Sequence, residues 1–190
     1  MTKQNKSWFQ QLFGSKDSFV EVDGHTFNEK IKVGPHQLVL NGTGVRTQNG
    51  RAIYALGLYL PSKTHREDTS RAMLGARRCE IAILADLNAA DFISSMREAI
   101  KENNNETSQE FIQNELLQIE EFMQELSGLI PGDTVDVDWV PSRGTFVYYN
   151  GQLVGNPVRG KALYDAVLSI WLGKHALEDE LKNGLLNLKE

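Results

Sequence analysis

Two turn signals of the same kind constrain the fold of this 190-residue chain more than any other feature. Asn49-Gly50 and Asn150-Gly151 each stand between two strand-like runs, and Asn-Gly is typical of a tight hairpin between antiparallel strands. The other strand-like runs also come in succession, and the helix-like segments come in blocks between them. This order favours an antiparallel sheet with helices layered on one face, an α+β architecture.

The apolar periodicity predicts the position of each element. Asn88 is expected to cap one central helix, and Thr107 with Glu110 is expected to form a capping box that begins the next. Residues 19–190 form one predicted domain, preceded by an N-terminal tail or short amphipathic helix at 1–18. Strands are predicted at 19–22, 27–33, 37–47, 51–60, 78–85, 134–140, 144–149 and 152–154, and helices at 68–76, 88–103, 107–128, 160–172 and 176–188.

Charge and composition argue against several functions. The net charge of −5 argues against a nucleic-acid partner, which would need clustered lysine and arginine. Arg71, Arg77 and Arg78 are expected to form a solvated edge, and Asp136 with Asp138 a solvated strand face. No stretch approaches the roughly 20 apolar residues of a spanning helix, and the N-terminus has no apolar secretory core. We expect a cytoplasmic protein, or a periplasmic one if a signal was removed.

Cofactor signals are weak along the whole sequence. The segment Asn41-Gly42-Thr43-Gly44 lies in a strand, so it lacks the helix N-terminus that a phosphate loop needs. The histidines His25, His36, His65 and His175 have no second ligand at metal spacing. We expect no metal and no cofactor, with haem as the open alternative, because one histidine can serve as an axial ligand without a local partner.

The informative pair of side chains is Arg46 and Tyr54, on the two strands joined at Asn49-Gly50. Alternation places Tyr54 on the more apolar face of its strand. A two-residue loop would set Arg46 opposite Ile53, on the other face. A three-residue loop would set it opposite Ala52, on the face of Tyr54. Only the odd-length loop therefore predicts a guanidinium and a phenol together on an apolar wall, a pair suited to a carboxylate or phenolate head group.

Residues 40–47 and 54–60 resemble the paired strands of the chalcone isomerase family, and residues 166–176 resemble its C-terminal helix and the turn that follows. From Phe19 to Leu188 the chain is similar to the bacterial, non-catalytic chalcone isomerase-like branch. The resemblance implies an open-faced β-sandwich, in which a large antiparallel sheet is covered on one face by a layer of helices, with a ligand cleft between them. This expectation agrees with the α+β architecture inferred from the pattern of elements.

The resemblance carries only one catalytic position to this chain. Arg46 falls on the family's arginine, whereas Tyr54 replaces a strand threonine. The family's tyrosine and asparagine on the middle helix align near Phe92 and Ala99 of this chain. The serine or threonine of the family's C-terminal helix aligns with Ile170. The loss of preorganised donors worth about 2.7–4 kcal/mol each argues against efficient isomerisation.

Non-catalytic relatives of this fold bind fatty acids, with an arginine and a tyrosine holding the carboxylate. We therefore expect a non-enzymatic protein that binds a small hydrophobic or amphipathic acid, a fatty acid. A haem-binding protein of this fold and an intramolecular lyase or isomerase using Arg46 remain alternatives. The expected ligand-binding residues are Arg46, Tyr54, Leu56, Leu58, Phe92, Met96 and Ile170.

Overall fold

The computed structural model describes residues 18–126 and 128–188. The N-terminal segment predicted at 1–18 therefore lies, except for Ser18, outside the described residues. The strands are β1 (Phe19–Val22), β2 (His25–Asn28), β3 (Lys30–Val33), β4 (His36–Gln48), β5 (Arg51–Leu60), β6 (Arg77–Ile83), β7 (Thr134–Val140), β8 (Gly144–Tyr149) and β9 (Gln152–Val158). The helices are α1 (Glu67–Ala72), α2 (Ala89–Asn103), α3 (Glu106–Glu125), α4 (Ala162–Leu172) and α5 (Asp179–Leu185).

Strands β3 to β9 form one seven-stranded sheet in which every strand pairs antiparallel with its neighbour in the chain. Both Asn-Gly turns adopt the positive φ angles that a tight hairpin needs, at 52° and 75° for Asn49 and Gly50. The predicted α+β architecture with a large antiparallel sheet is confirmed. Among the described residues, no helix is both long and apolar enough to cross a lipid bilayer.

The two faces of the sheet are covered differently. The alternating residues Tyr54, Leu56 and Leu58 of β5 face the main core beneath the helices. Ala55 and Tyr59 of the same strand face a second, smaller core. The separate β1–β2 hairpin contributes to this second core, and β5 is consequently buried on both sides.

Three sequence-based expectations about polar residues were wrong. Arg77 is not on a solvated edge, because it is fully buried and donates to the carbonyl oxygens of Ser70 and Arg71 at the end of α1. Asp138 is also buried, paired with Arg78, rather than part of a solvated face. Buried charges need partners of this kind, and the partners lie on neighbouring elements.

The third correction concerns the start of α3. The capping residue is Asn105, whose side-chain oxygen accepts a hydrogen bond from the backbone N–H of Ser108 at 2.9 Å. Thr107 lies inside the helix rather than at its cap. The Asn88 cap of α2 is confirmed, with hydrogen bonds from the backbone N–H groups of Ala90 and Asp91.

Candidate functional site

Arg46 on β4 and Tyr54 on β5 lie directly opposite each other in the sheet. The length of the loop between the strands does not explain this pairing. The turn has two residues, with Gln48 paired to Arg51. A register shift follows, so that the ladder steps from Ala52 to Tyr54 and leaves Ile53 as an extra residue in β5. A bulge of this kind has the same effect on facing as an odd-length loop. The predicted condition was wrong, although the two residues do pair.

The guanidinium of Arg46 is half-buried and held on one side. Its Nη1 donates to Oε2 of Glu178 at 2.9 Å and to the carbonyl oxygen of Thr47 at 3.1 Å, with a longer contact of 3.5 Å to the carbonyl of Leu177. Among the described residues, Nη2 and Nε of Arg46 make no hydrogen bond. Arg46 therefore keeps donors available on the side away from Nη1.

Helix α5 brings Glu178 to this position. The helix lies so close to β4 that a Cβ on Gly44 would stand 2.5 Å from Cδ1 of Leu181, and one on Gly42 would stand 2.2 Å from the carbonyl oxygen of Gly184. Asn41 fixes the end of the helix by donating to the carbonyl of Leu185 at 2.7 Å. The glycines that resembled a phosphate loop thus allow helix α5 to pack closely against β4.

Tyr54 is a neutral hydrogen-bonding group within the core. It is 2% exposed, and its hydroxyl oxygen accepts a hydrogen bond from Nε1 of Trp171 at 2.9 Å. Burial raises the pKa of Tyr54 to about 12, against the opposing effects of Trp171 and of the charge on Arg46. The phenol therefore keeps its proton at neutral pH. Among the described residues, this hydroxyl donates no hydrogen bond.

A polar cleft, which we call the mouth, opens between the end of the β4–β5 hairpin and the start of α2. It has a volume of about 460 Å³. Arg46 is the only cationic side chain among the described residues that line it, and two exposed carboxylates, Asp86 and Asp91, line it as well. Its inner wall is formed by Tyr54 with Phe92 and Met96 of α2.

An apolar cavity, which we call the tail cavity, lies between the sheet and helices α2, α3 and α4. Its volume is about 60 Å³. Phe92 and Met96 line both spaces, so they separate the mouth from the tail cavity. The Phe92 ring meets Tyr54 edge to face, with centroids 6.1 Å apart. The further lining residues include Ile81, Ile100, Leu116, Ile119, Phe122, Met123, Val135, Val137, Val154, Val167, Ile170 and Trp171.

The structure gathers most of the predicted ligand-binding residues and leaves two out. Arg46 and Tyr54 line the mouth, and Ile170 lines the tail cavity. Leu56 and Leu58 line neither space. They are fully buried because their partners across the ladder are Gly44 and Gly42, over which α5 packs.

Sequence reasoning missed two residues of the site. Trp171 lies in the helix predicted at 160–172, and a buried indole N–H normally finds a hydrogen-bond partner, which is a usable signal. Glu178 lies near the start of the helix predicted at 176–188, where a negative charge is favourable without any other partner. It meets Arg46 across 132 residues of sequence, and no local pattern marks such a contact.

The haem alternative gains no support from the position of the histidines. All four lie in the described part of the chain, and none lines the mouth or the tail cavity. His25 contacts Glu80 at 2.9 Å on the outer face of the sheet, and His65 contacts the carbonyl oxygen of Leu186 at 3.0 Å.

Comparisons with known proteins agree with this architecture. Residues 19–187 match the family described as chalcone isomerase-like. Among solved structures, the fold is similar to that of a fatty-acid binding protein of Arabidopsis thaliana, with a TM-score of 0.68 and 16% sequence identity. The similarity covers 90% of this chain and 97% of that protein. No curated protein matches the chain. At this identity, the likeness shows the fold.

Proposed function

Because the chain belongs to the chalcone isomerase-like family, we propose that it binds a fatty acid or a similar small amphipathic acid without converting it. The observation that carries the proposal is the junction of two unlike spaces. The mouth presents the donors of Arg46 and Tyr54, and the adjoining tail cavity is apolar. A carboxylate head and an alkyl tail need these two environments next to each other.

The head group is assigned to the free donors of the mouth. Nη2 and Nε of Arg46 form the planar fork that suits a carboxylate. The Tyr54 hydroxyl can donate at neutral pH because its pKa is about 12. Its oxygen already accepts from Trp171, and its hydrogen remains available to the ligand carboxylate.

The tail is assigned to the space beneath α3. Ligand pockets measure about 300–1,000 Å³, so the tail cavity of about 60 Å³ must widen to admit an alkyl chain. Helix α3 is the wall best suited to move, because only Ile112 and Met123 along its 20 residues are buried. Met96 and Met123 have flexible side chains that can adopt new rotamers around a ligand.

We propose binding without catalysis because apolar residues replace most of the family's polar catalytic groups. Phe92, Ala99 and Ile170 are buried and carry no side-chain hydrogen-bonding group. The strand threonine is replaced by Tyr54, whose hydroxyl oxygen already accepts a hydrogen bond from Trp171. The arrangement can hold an acid, but it has few groups with which to orient a flavonoid and a reactive water.

Native mass spectrometry of the protein purified without delipidation tests the proposal. We expect an adduct of fatty-acid mass on the original protein and on the control variant Arg51→Ala, and a loss of most of it in Arg46→Ala. Arg51 is an exposed arginine on the same hairpin, so it matches the charge change outside the mouth. A protein that carries no such adduct and gains no thermal stability from added fatty acids would contradict the proposal. An adduct of haem mass with a Soret band would favour the haem alternative.

A further inference from the structure

We infer that Glu178 acts as a built-in competitor of the ligand carboxylate, and so sets how strongly the site discriminates acids from neutral amphiphiles. The inference rests on the proposed function. Oε2 of Glu178 accepts hydrogen bonds from Nη1 of Arg46 at 2.9 Å and from the backbone N–H of Thr47 at 3.0 Å. A carboxylate of the protein itself therefore already occupies one side of the cation assigned to the ligand.

The fold holds this carboxylate in place. Glu178 is the residue immediately before α5, but its side chain makes no capping hydrogen bond to its own helix. It reaches instead across to β4, where the close packing of Gly44 against Leu181 fixes the helix. The Arg46 and Glu178 side chains are only 24% and 19% exposed. An ion pair so shielded from water is screened less than a surface pair.

The charge around the mouth makes this competition consequential. Asp86 and Asp91 line the mouth, and Glu178 neutralises Arg46, the only cation among the described lining residues. An entering carboxylate meets one positive and three negative charges. It must draw Arg46 away from Glu178 or share the guanidinium with it. Glu178 does not compete in this way with a neutral head group of the same size. Such a group needs only a hydrogen-bond donor, and it gains nothing from a cation that lacks a counter-charge.

Calorimetric titration of Glu178→Gln with decanoate and with 1-decanol tests the inference. Glutamine keeps the size of the side chain and an oxygen that can accept from Thr47, but it removes the charge. Because a hydrogen bond to a charged group is stronger than one to a neutral group, removing the charge of Glu178 should free Arg46 and tighten decanoate binding about tenfold. Binding of 1-decanol should stay unchanged. Glu180→Gln, an exposed position in the same helix, is the charge-matched control and should leave both affinities unchanged.

The outcomes separate this inference from the proposed function. If the original protein binds decanoate but Glu178→Gln binds it equally or more weakly, then Glu178 orients Arg46 rather than competing for it, and the inference alone is overturned. An equal gain for 1-decanol, or an equal gain in Glu180→Gln, would overturn it as well. If neither the original protein nor any variant binds decanoate, both the inference and the proposed function fail.

Discussion

The hydrogen bond between Trp171 and Tyr54 satisfies two polar groups in a place where water is excluded. Both side chains are nearly fully buried, and the donor–acceptor distance is 2.9 Å. A buried donor left without its acceptor costs about 1–3 kcal/mol, more than the net gain of the bond itself. The pair therefore contributes to stability as a unit.

Removing the hydroxyl of Tyr54 should expose this dependence. We expect Tyr54→Phe to lower the free energy of unfolding by about 1–3 kcal/mol, because Nε1 of Trp171 loses its acceptor. Urea unfolding of Tyr54→Phe, Trp171→Phe and the double variant gives the coupling energy. We expect the double variant to lose about 1 kcal/mol less than the sum of the single changes. Additive losses would show that the bond contributes little.

A second buried polar cluster lies on the outer face of the sheet. Arg78 pairs with Asp138 at 2.6 Å and with Asp136 at 3.2 Å, and Oδ1 of Asp136 has no hydrogen-bond partner among the described residues. Glu80 adds a third carboxylate nearby. Burial raises the pKa of Asp136 from 3.8 to about 6, and Arg78 only partly offsets this effect.

This raised pKa predicts a specific pH dependence. Between about pH 4 and pH 6 the unfolded chain has lost the Asp136 proton while the folded chain keeps it, so stability falls as the pH rises through this window. The maximum contribution is about 3 kcal/mol. The advantage of Asp136→Asn over the original protein in urea unfolding should therefore grow from pH 4 to pH 7. Glu21→Gln is the charge-matched control at an exposed position. A constant difference across this range would contradict the prediction.

At the scale of elements, the site depends on the packing of α5 against β4. The helix packs where Gly42 and Gly44 leave the strand surface without side chains, and this packing places Glu178 beside Arg46. A side chain at Gly44 would meet both the side chain and the backbone of Leu181, so the helix would have to shift. Overpacking of this kind typically costs about 1–3 kcal/mol.

We therefore expect Gly44→Ala to lower the free energy of unfolding by about 1–3 kcal/mol and to separate Glu178 from Arg46. Thr43→Ala is the matched control, because residue 43 alternates to the other face of β4. Chemical denaturation measures the first effect, and a crystal structure of the variant measures the second. A variant as stable as the original protein, with α5 unmoved, would show that the contact can relax at no cost.

The sequence predicted the elements better than it predicted their register. Both Asn-Gly hairpins and the Asn88 cap could be identified because each depends on neighbouring residues. The bulge at Ile53 could not, since Ile53 is an ordinary strand residue and only the ladder reveals the extra position. Arg46 and Tyr54 thus share one face of the sheet because of this bulge, and not because of the three-residue loop that the prediction required.

At the scale of the whole molecule, the site is made by contacts between distant parts of the chain. The α+β architecture follows from hydrophobic periodicity and turn signals, which are local. Tyr54 meets Trp171 across 117 residues and Arg46 meets Glu178 across 132. The separation of the polar mouth from the apolar tail cavity by Phe92 and Met96 likewise depends on how α2 packs on the sheet. No local pattern in a single sequence tells which residues meet in such contacts.

A tail cavity closed by the sheet and three helices predicts an optimum length for the acid. Each methylene buried in it should add about 0.8 kcal/mol until the chain reaches the far wall. Beyond that point, longer acids must displace packed side chains or remain partly in water. A ligand at 100 times its dissociation constant stabilises the folded state by about 2.7 kcal/mol. For a chain of this size, that corresponds to a rise in Tm of about 5–10 °C.

Thermal unfolding with unbranched acids from octanoate to palmitate, at equal free concentrations below micelle formation, measures this optimum. We expect Tm to rise with chain length, pass through a maximum and then decline. Val137→Phe should shift the maximum to shorter acids, because Val137 of β7 lines the floor of the tail cavity and a larger side chain would fill part of it. A rise that continues to palmitate in both proteins would instead indicate adsorption to the surface, since adsorption strengthens with every methylene and has no far wall to reach.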